Sequence, residues 1–566
     1  MDKNYQIIAD HKRDKEESVK FKERRFSQWN ENYALFRDKV ALNRLTQRQP
    51  VNVPIIRETI QSWISKIDEA PELKFETRGR TSKDTDGQIL VNSIYEYYYD
   101  KLKLDILDNV DKKIVGLQGR SFKKIGMSGR EIFIDIVDPY DIEIDPRVNP
   151  LDIESASYVI HTHIYRSLKE ILANPKYSDS AKKELKQYLD SKNGVIAAAT
   201  DEQSYNMRRE RLENLDAFNF DDYGATDVLV ELNESYKLVW DESKKKFVRY
   251  LRIIADDSVV LLDKPLEEAI GISKIPIVTW ASDPDAIDFW SDGIADNVRT
   301  FNKITNMYIS QDLENRTYRN FGMYFFNTLN GTFQPRAFEP KPFGMYGVPG
   351  NPTEIVQQIK IEPLSDVSNQ ITWLKNLIQS SVAQTPAERG IKEPGEQTLG
   401  QVQLQLAQSK GINQVVSKNY RKCWEELGYL FYELLKNNSS GIIKIFKKGG
   451  DGAYYSKEIA ASDWISDEGY EIVVKNKAEQ SVADDFDLKK LQYIKNSFAN
   501  NPIAIMLAKK KELELLDFTT EEIDSIIQAE NPQQPLNAMQ NAPSKVNNPQ
   551  DSVQDSNSNV LNGQTA

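Results

Sequence analysis

A single cysteine, Cys423, stands in 566 residues. It has no partner for an intramolecular disulfide, which excludes a disulfide-stapled secreted scaffold. Histidine is almost as scarce, with three in the whole chain. No apolar run approaches the roughly 18 residues a membrane span requires, and the mean hydropathy is −0.57, so no membrane-spanning protein is expected. The N-terminus, MDKNYQIIADHKRDKEESVKFKERR, lacks the apolar stretch of a secretory signal. Positive charge is in deficit. Lys and Arg number 73 against 85 Asp and Glu, a net charge of −12, the opposite of what a simple nucleic-acid clamp carries.

Chemical motifs are missing as well. There is no GxxxxGK[ST], no GxGxxG between a strand and a helix, and no GxSxG, so neither a phosphate cradle nor a nucleophile elbow is expected. Gly449, Gly450 and Gly452 lie between FKK and AYYSKEI and suit a hairpin turn. Asp138, Asp141 and Asp145 in DPYDIEIDP could form the carboxylate cluster of a metal-dependent nuclease, although Asp-Pro pairs read first as turn signals. His161 and His163 in YVIHTHIY would share a strand face and could hold a metal, but no third ligand is near, and a half-buried strand is the plainer reading. His11, in a charged segment, is expected in solvent. With no acid, base or nucleophile set, the chain reads as a structural or binding protein and not an enzyme, and neither cofactor nor metal is expected.

What is present is helical and strand patterning in a definite order. At about 150 residues per domain the length allows three to four compact units. Residues 1–50 form a charged N-terminal helical segment with Phe26, Trp29, Tyr33 and Phe36 at helical spacing, stopped by Pro50 and Pro54. Ile56, Ile60, Trp63 and Ile67 mark an amphipathic helix over 53–67. A short strand follows at 71–81. One long helix runs from Asp84 to about Leu117, with Ile94, Tyr97, Tyr98, Leu102, Leu107, Val110 and Ile114 on its buried side and Gly116 and Gly119 ending it. Residues 120–281 alternate as strands, with a hairpin at Met127-Ser128-Gly129, two short helices at 167–174 and 179–191, and a polar loop at 192–226. A helix of about 30 residues beginning near 291 would reach roughly 45 Å, with Ile294, Val298, Phe301, Ile304 and Tyr308 as its apolar stripe. A Pro-, Gly- and Phe-rich insert occupies 321–364. A second helix at 366–384 carries Val367, Ile371, Leu374, Ile378 and Val382 on one face. A polar loop covers 385–398. A third long helix runs from Leu399 to about Asn437, where Gly411 permits a kink. Its apolar side is Val416, Tyr420, Cys423, Trp424, Leu427, Phe431 and Leu434. Strands return over 441–476 and helices over 480–530. The Asn-, Gln-, Pro- and Ser-rich tail 531–566 is too polar to bury a core and is expected to be disordered.

The helix WSDGIADNVRTFNKITNMYISQDLENRTYRN, the segment QTPAERGIKEPGEQTLGQVQLQLAQSKG and the strand block ending in DIVDPYDIEIDP together resemble the portal, or head-to-tail connector, proteins of tailed double-stranded DNA bacteriophages. The resemblance covers residues 20–530 by order and pattern. It implies an α+β portal fold: a β-rich wing (51–281), stem helix 1 (282–320), a small clip insert (321–364), stem helix 2 (365–384), a tunnel loop (385–398), a long kinked tunnel helix leading to wing strands (399–479), and a helical crown (480–530). It also implies a ring oligomer, a dodecamer in the virion, at one capsid vertex at the head-tail interface, assembled in the host cytoplasm. The implied partners are further copies of the chain, double-stranded DNA passing through the channel, the terminase large subunit, a head-tail adaptor, the major capsid protein and scaffolding protein. Candidate channel residues are Arg389, Lys392, Glu388, Glu393 and Glu396 in the loop and Arg299, Lys303, Arg316 and Arg319 on the stem. Candidate clip contacts are Phe325, Phe326, Phe333, Arg336, Phe338, Lys341 and Phe343. The alternatives are another phage head-tail adaptor or structural protein, a host helical scaffold, and the nuclease.

Overall fold

The computed structural model describes residues 3–38, 51–67, 72–78, 82–129, 131–191, 229–242, 244–321, 323–326, 351, 356–364, 367–381, 399–438, 443–448, 454–466, 469–475, 488–495 and 502–515. The expected loops at 192–226 and 385–398 and the expected tail 531–566 lie outside these residues. The chain divides into two compact units, Met1–Ala483 and Asp484–Ala566.

Unit 1 is a mixed helix and sheet structure. A 34-residue helix, α1 (Lys3–Phe36), is followed by α2 (Ile55–Ile64), β1 (Glu72–Thr77), α3 (Ser82–Leu102) and α4 (Leu104–Gln118). A hairpin of β2 (Arg120–Ser128) and β3 (Glu131–Val137) joins β9 (Ile277–Ala281) in a three-stranded sheet ordered β3-β2-β9. Between them in sequence, β4 (Ile142–Ile144), β5 (Tyr158–Ser167), β6 (Leu229–Asp241), β7 (Lys246–Ala255) and β8 (Val259–Pro265) form an antiparallel meander in that order. Helices α5 (Leu168–Ala173), α6 (Asp179–Ser191) and α7 (Leu266–Ile270) accompany it. Next come α8 (Ile294–Phe321), the strand pair β10 (Met323–Phe326) and β11 (Val356–Ile359), α9 (Val367–Ser381) and the 40-residue α10 (Leu399–Asn438). Strands β12 (Ile443–Lys448) and β13 (Tyr454–Ile459) pair antiparallel on either side of the glycine cluster, as the hairpin reading expects. After α11 (Ala461–Trp464), β14 (Tyr470–Lys475) returns to pair with β1, joining Glu72 to Lys475 and Thr77 to Tyr470. In unit 2, residues 488–495 (α12) and α13 (Pro502–Leu515) are helical, with Lys495 ion-paired to Glu512.

The expected single helix over 84–117 is two helices. Lys103 adopts a left-handed conformation, φ 52°, between α3 and α4, and the break changes the phase of the buried face. Val110, expected inside, is 43% exposed. The buried side of α4 is Leu104, Asp108, Asp111, Lys112 and Val115. Charge is tolerated there because it is paired. Asp111 accepts hydrogen bonds from Ser121 Oγ at 2.6 Å, Lys123 Nζ at 2.5 Å and Trp280 Nε1 at 2.7 Å, while Asp108 accepts one from Tyr420 Oη at 2.6 Å. Burial raises the Asp108 carboxyl above its ordinary value. It also pushes the Cys423 thiol, 3.6 Å from Lys123, up to about 12. Gly119 caps α4 at φ +85°, where a Cβ would lie 1.9 Å from the Ser291 carbonyl oxygen, so only glycine fits both the turn and the approach of the 291–293 chain.

The largest departure from the sequence reading is α1. Phe26 and Trp29 are buried as expected, but so are His11, Asp14, Lys15, Ser18, Lys22 and Asn32. His11 is not in solvent; its Nε2 lies 3.0 Å from Asp257 Oδ1, and Lys15 donates to the other oxygen of that carboxylate at 3.0 Å. Lys22 is wholly buried and donates to Glu143 Oε1 at 2.5 Å and to the carbonyls of Tyr140 at 2.8 Å and Ile142 at 2.9 Å. Ser18 Oγ donates to Glu143 at 2.9 Å and accepts the Ile144 amide at 2.6 Å. The charges of α1 therefore meet partners on the meander, which a helical-period reading of polar residues does not anticipate. Lys22→Ala leaves the Glu143 carboxylate buried without its cation and is expected to cost about 3–5 kcal/mol, whereas Lys22→Met with Glu143→Leu recovers most of the loss. Thermal unfolding of the full chain checks this; an unchanged midpoint for Lys22→Ala contradicts the clamp.

Candidate functional site

The region that carries the candidate channel residues is built on α8. Its first turns sit in a junction of helices: Ala295 and Val298 pack with Leu35 of α1, Ile55, Ile56 and Ile60 of α2, Leu117 of α4 and Ile378 of α9. The stripe expected on α8 is only partly the buried face. Val298 is buried, and Ile294, Phe301, Ile304 and Tyr308 are half-buried. Beyond Val298 the fully buried residues are polar: Asn302, Thr305, Asn306 and Ser310. Asn306 Nδ2 donates to Asn52 Oδ1 at 2.7 Å, its Oδ1 accepts the Val53 amide at 2.9 Å, and Thr305 Oγ1 donates back to the Phe301 carbonyl at 2.9 Å. The asparagine pair thereby secures the chain that enters α2. The spacing of Asn302, Thr305, Asn306 and Ser310 was visible as a second helical stripe, but polar residues at helical spacing ordinarily mark the solvent face.

Helix α9 folds back along α8. Ile378, late in α9, packs beside Ala295 and Val298, early in α8. At the other end the Asn315 side chain donates to the carbonyl of Glu362, just before α9, at 3.0 Å. The two helices are therefore antiparallel. Leu374 and Ile378 are buried and Val367 and Ile371 half-buried, the face expected for this helix, while Val382 lies outside the described residues. At the far end, Met323 to Phe326 of β10 pair antiparallel with Ile359 to Val356 of β11. Phe325 and Phe326 are thus on β10. Phe333, Arg336, Phe338, Lys341 and Phe343 fall outside the described residues, as do Glu388, Arg389, Lys392, Glu393 and Glu396. Helix α10 is continuous through Gly411, and from Tyr420 onward the expected residues Tyr420, Cys423, Trp424, Leu427, Phe431 and Leu434 are all buried, joined by Leu430 and Leu435, which widen the face.

The four candidate channel cations of α8 divide into two kinds. Arg299, with 16% of its side chain exposed, bonds Asp296 Oδ1 at 2.8 Å, Asn32 Oδ1 at 3.2 Å and Glu31 at 3.3 Å. Lys303 pairs with the same Glu31 of α1. Arg316 pairs with Asp312 at 2.8 Å, one turn back, and is 65% exposed; Arg319 is exposed near the end of α8. The first two thus tie α8 to α1 within the chain, and the latter two face outward. An exposed i,i+4 pair contributes little to stability. Arg299→Ala is therefore expected to destabilise the chain by about 1–3 kcal/mol through loss of three partly buried partners, while Arg316→Ala changes stability by less than about 0.5 kcal/mol. Equal effects in thermal unfolding contradict that division.

The candidate metal ligands are dispersed. Asp138 caps a short helical turn by accepting the Tyr140 amide at 3.1 Å, Asp141 Oδ1 lies 3.0 Å from His163 Nδ1, and Asp145 accepts the Arg147 amide at 3.0 Å and the Ser157 amide at 3.2 Å. His161 and His163 do not share a site. The β5–β6 register shifts between His161 and Ile164, and His163 takes φ 56°. His161 Nδ1 sits 3.1 Å from Lys124 Nζ, which also donates to Glu234 at 2.5 Å. Among the described residues no group of three His, Cys, Asp or Glu side chains is arranged to hold a metal ion, and no helix is long and apolar enough to cross a membrane. Burial works against ionisation of Glu234, yet Lys124 and His161 hold its carboxyl at about 2. Its folded value lies below its unfolded value, so its contribution to stability is complete above about pH 4.5 and is lost as pH falls towards 2. Glu234→Gln should therefore shrink the drop in melting temperature between those pH values; an identical acid profile contradicts the pairing.

No protein-family model matches the chain, and a search of curated proteins returns no match.

Proposed function

We propose that this chain is the subunit of a phage portal: a ring, dodecameric in the virion, at one capsid vertex, through which double-stranded DNA enters during packaging and leaves at ejection. The observation that carries the reading is the excursion from the body formed by α8, β10, β11 and α9. One long helix leads out to a strand pair and a second helix returns antiparallel to it, with both feet held in a junction of α1, α2 and α4. After α9, a polar segment precedes the 40-residue α10, whose second half is buried in the body. In this reading α8 and α9 are the stem, β10 and β11 the base of the clip, residues 385–398 the tunnel loop, the two sheets of unit 1 the wing, and the helices of unit 2 the crown.

The channel has to let duplex DNA slide. A subunit charge of −12 repels phosphates, and at a Debye length of about 8 Å the repulsion is confined near the wall. Pairing of Arg299 and Lys303 with Glu31 keeps those cations from gripping the duplex. Outward cations such as Arg316 and Arg319, with Arg389 and Lys392 of the loop, would give weak, salt-dependent contacts. No step of this function requires nucleotide hydrolysis by the chain; the terminase would supply it while docked on the clip, and the adaptor would take its place after packaging.

Replacing residues 385–398 by a short Gly-Ser linker is expected to leave the assembly size unchanged and to reduce retention of packaged DNA in an in vitro packaging reaction. Unchanged retention, or loss of assembly, contradicts the tunnel-loop assignment.

A further inference from the structure

The meander carries a projecting tip. Strand β5 pairs with β6 only as far as Lys237, and β8 pairs with β7 only as far as Tyr250. The pairs Val239↔Val248, Trp240↔Phe247 and Asp241↔Lys246 therefore form a two-stranded ribbon flanked by neither neighbour, overhanging the sheet by roughly 10 Å at 3.3 Å per residue. Trp240 is 52% and Phe247 65% exposed, with their rings edge-to-face at 5.1 Å. Lys244 and Lys245 in the turn and Lys246 at the start of β7 are all exposed. Against Asp241 and Glu242 these three lysines leave the tip net positive in a chain that is strongly negative overall.

A second surface has the opposite character. The segment 282–292 is anchored by buried Phe289 and Trp290 and by Asp288, which pairs with Arg24 and Arg25 of α1. Asp285 accepts the amides of Ile287 at 2.7 Å and Asp288 at 2.9 Å, which fixes the turn. The turn presents Ile287, 87% exposed, beside exposed Asp283, Asp285 and Ala286. Four aspartates against Arg24 and Arg25 leave this knob net negative.

We infer that the Trp240–Phe247 tip of one copy docks on the Ile287 turn of the next, joining apolar faces inside rims of opposite charge. The occupant is a second copy of this chain because the same chain carries both complementary patches, and because the lysine turn reverses locally the repulsion between two acidic subunits. Exposed aromatics of this kind mark interfaces. The contact is heterologous, since the two patches differ, and a heterologous contact repeated by rotation closes into a ring. The inference rests on the ring reading for its closure but not for its existence.

The test is mass photometry of the full chain over a dilution series, with circular dichroism of each variant to report folding. Trp240→Ser with Phe247→Ser, and separately Lys244→Glu with Lys246→Glu, are expected to retain the wild-type spectrum and to dissociate at about tenfold higher concentration or more. Adding Asp283→Lys to the second pair should restore much of the loss. Assemblies of wild-type size and concentration dependence in both variants overturn the inference while leaving the ring intact. Wild-type chains that form open filaments, dispersed by the same substitutions, support the contact and defeat the ring. A wild-type chain that stays monomeric throughout overturns both.

Discussion

The fold depends on a charged helix held inside it. Helix α1, about 50 Å long at 1.5 Å per residue, is fastened at successive turns: His11 and Lys15 to Asp257, Asp14 to Lys237, Ser18 and Lys22 to Glu143, Arg24 and Arg25 to Asp288, and Asn32 to the Leu117 carbonyl. Buried ion pairs seldom add much net stability over apolar replacements, but leaving one partner alone is costly. Their effect is therefore on register. A helix displaced by one residue would strand Lys22 and Glu143 in an apolar setting formed by Phe26, Trp29, Tyr140 and Trp290, whose rings pack at 5.1 to 6.1 Å. The helix accordingly fixes how the meander, the end of α4 and the foot of α8 are aligned.

That alignment has a functional consequence in the portal reading. Glu31 and Asn32 near the end of α1 receive Arg299, and Glu31 also receives Lys303, so the stem is footed on the same element that orders the meander. The junction below α8 is apolar at Ala295 and Val298 and polar one turn higher, where Asn302 and Asn306 reach Asn52. Asn306 donates to the Asn52 oxygen while accepting the Val53 amide, a two-way contact met in one arrangement only, which suits a rod whose direction matters more than its contribution to total stability.

Much of this architecture was legible in the chain because it rests on local periodicity. The faces of α2 and α9, the second half of α10 and the β2–β3 and β12–β13 hairpins follow from apolar spacing and turn residues. Three things were not legible. The burial of α1 depends on partners more than a hundred residues away, such as Glu143 for Lys22 and Asp257 for His11. The pairing of β1 with β14 joins residues about 400 positions apart. The break at Lys103 sits in an otherwise continuous helical pattern and is marked by no glycine or proline. At the candidate site, the antiparallel course of α8 and α9 was readable, whereas the buried role of Arg299 was not, because a cation on a helix face looks the same whether it meets solvent or Glu31.

The central claim is that copies of this chain surround an axial opening with the α8–α9 hairpins directed along it. Electron microscopy of the purified full-length protein measures this directly. The account predicts top views of a closed ring with a central hole wide enough for a hydrated duplex, roughly 20–40 Å, and side views with a narrow stem below a broader body. Particles that are single subunits, or assemblies with no opening on the axis, would contradict it.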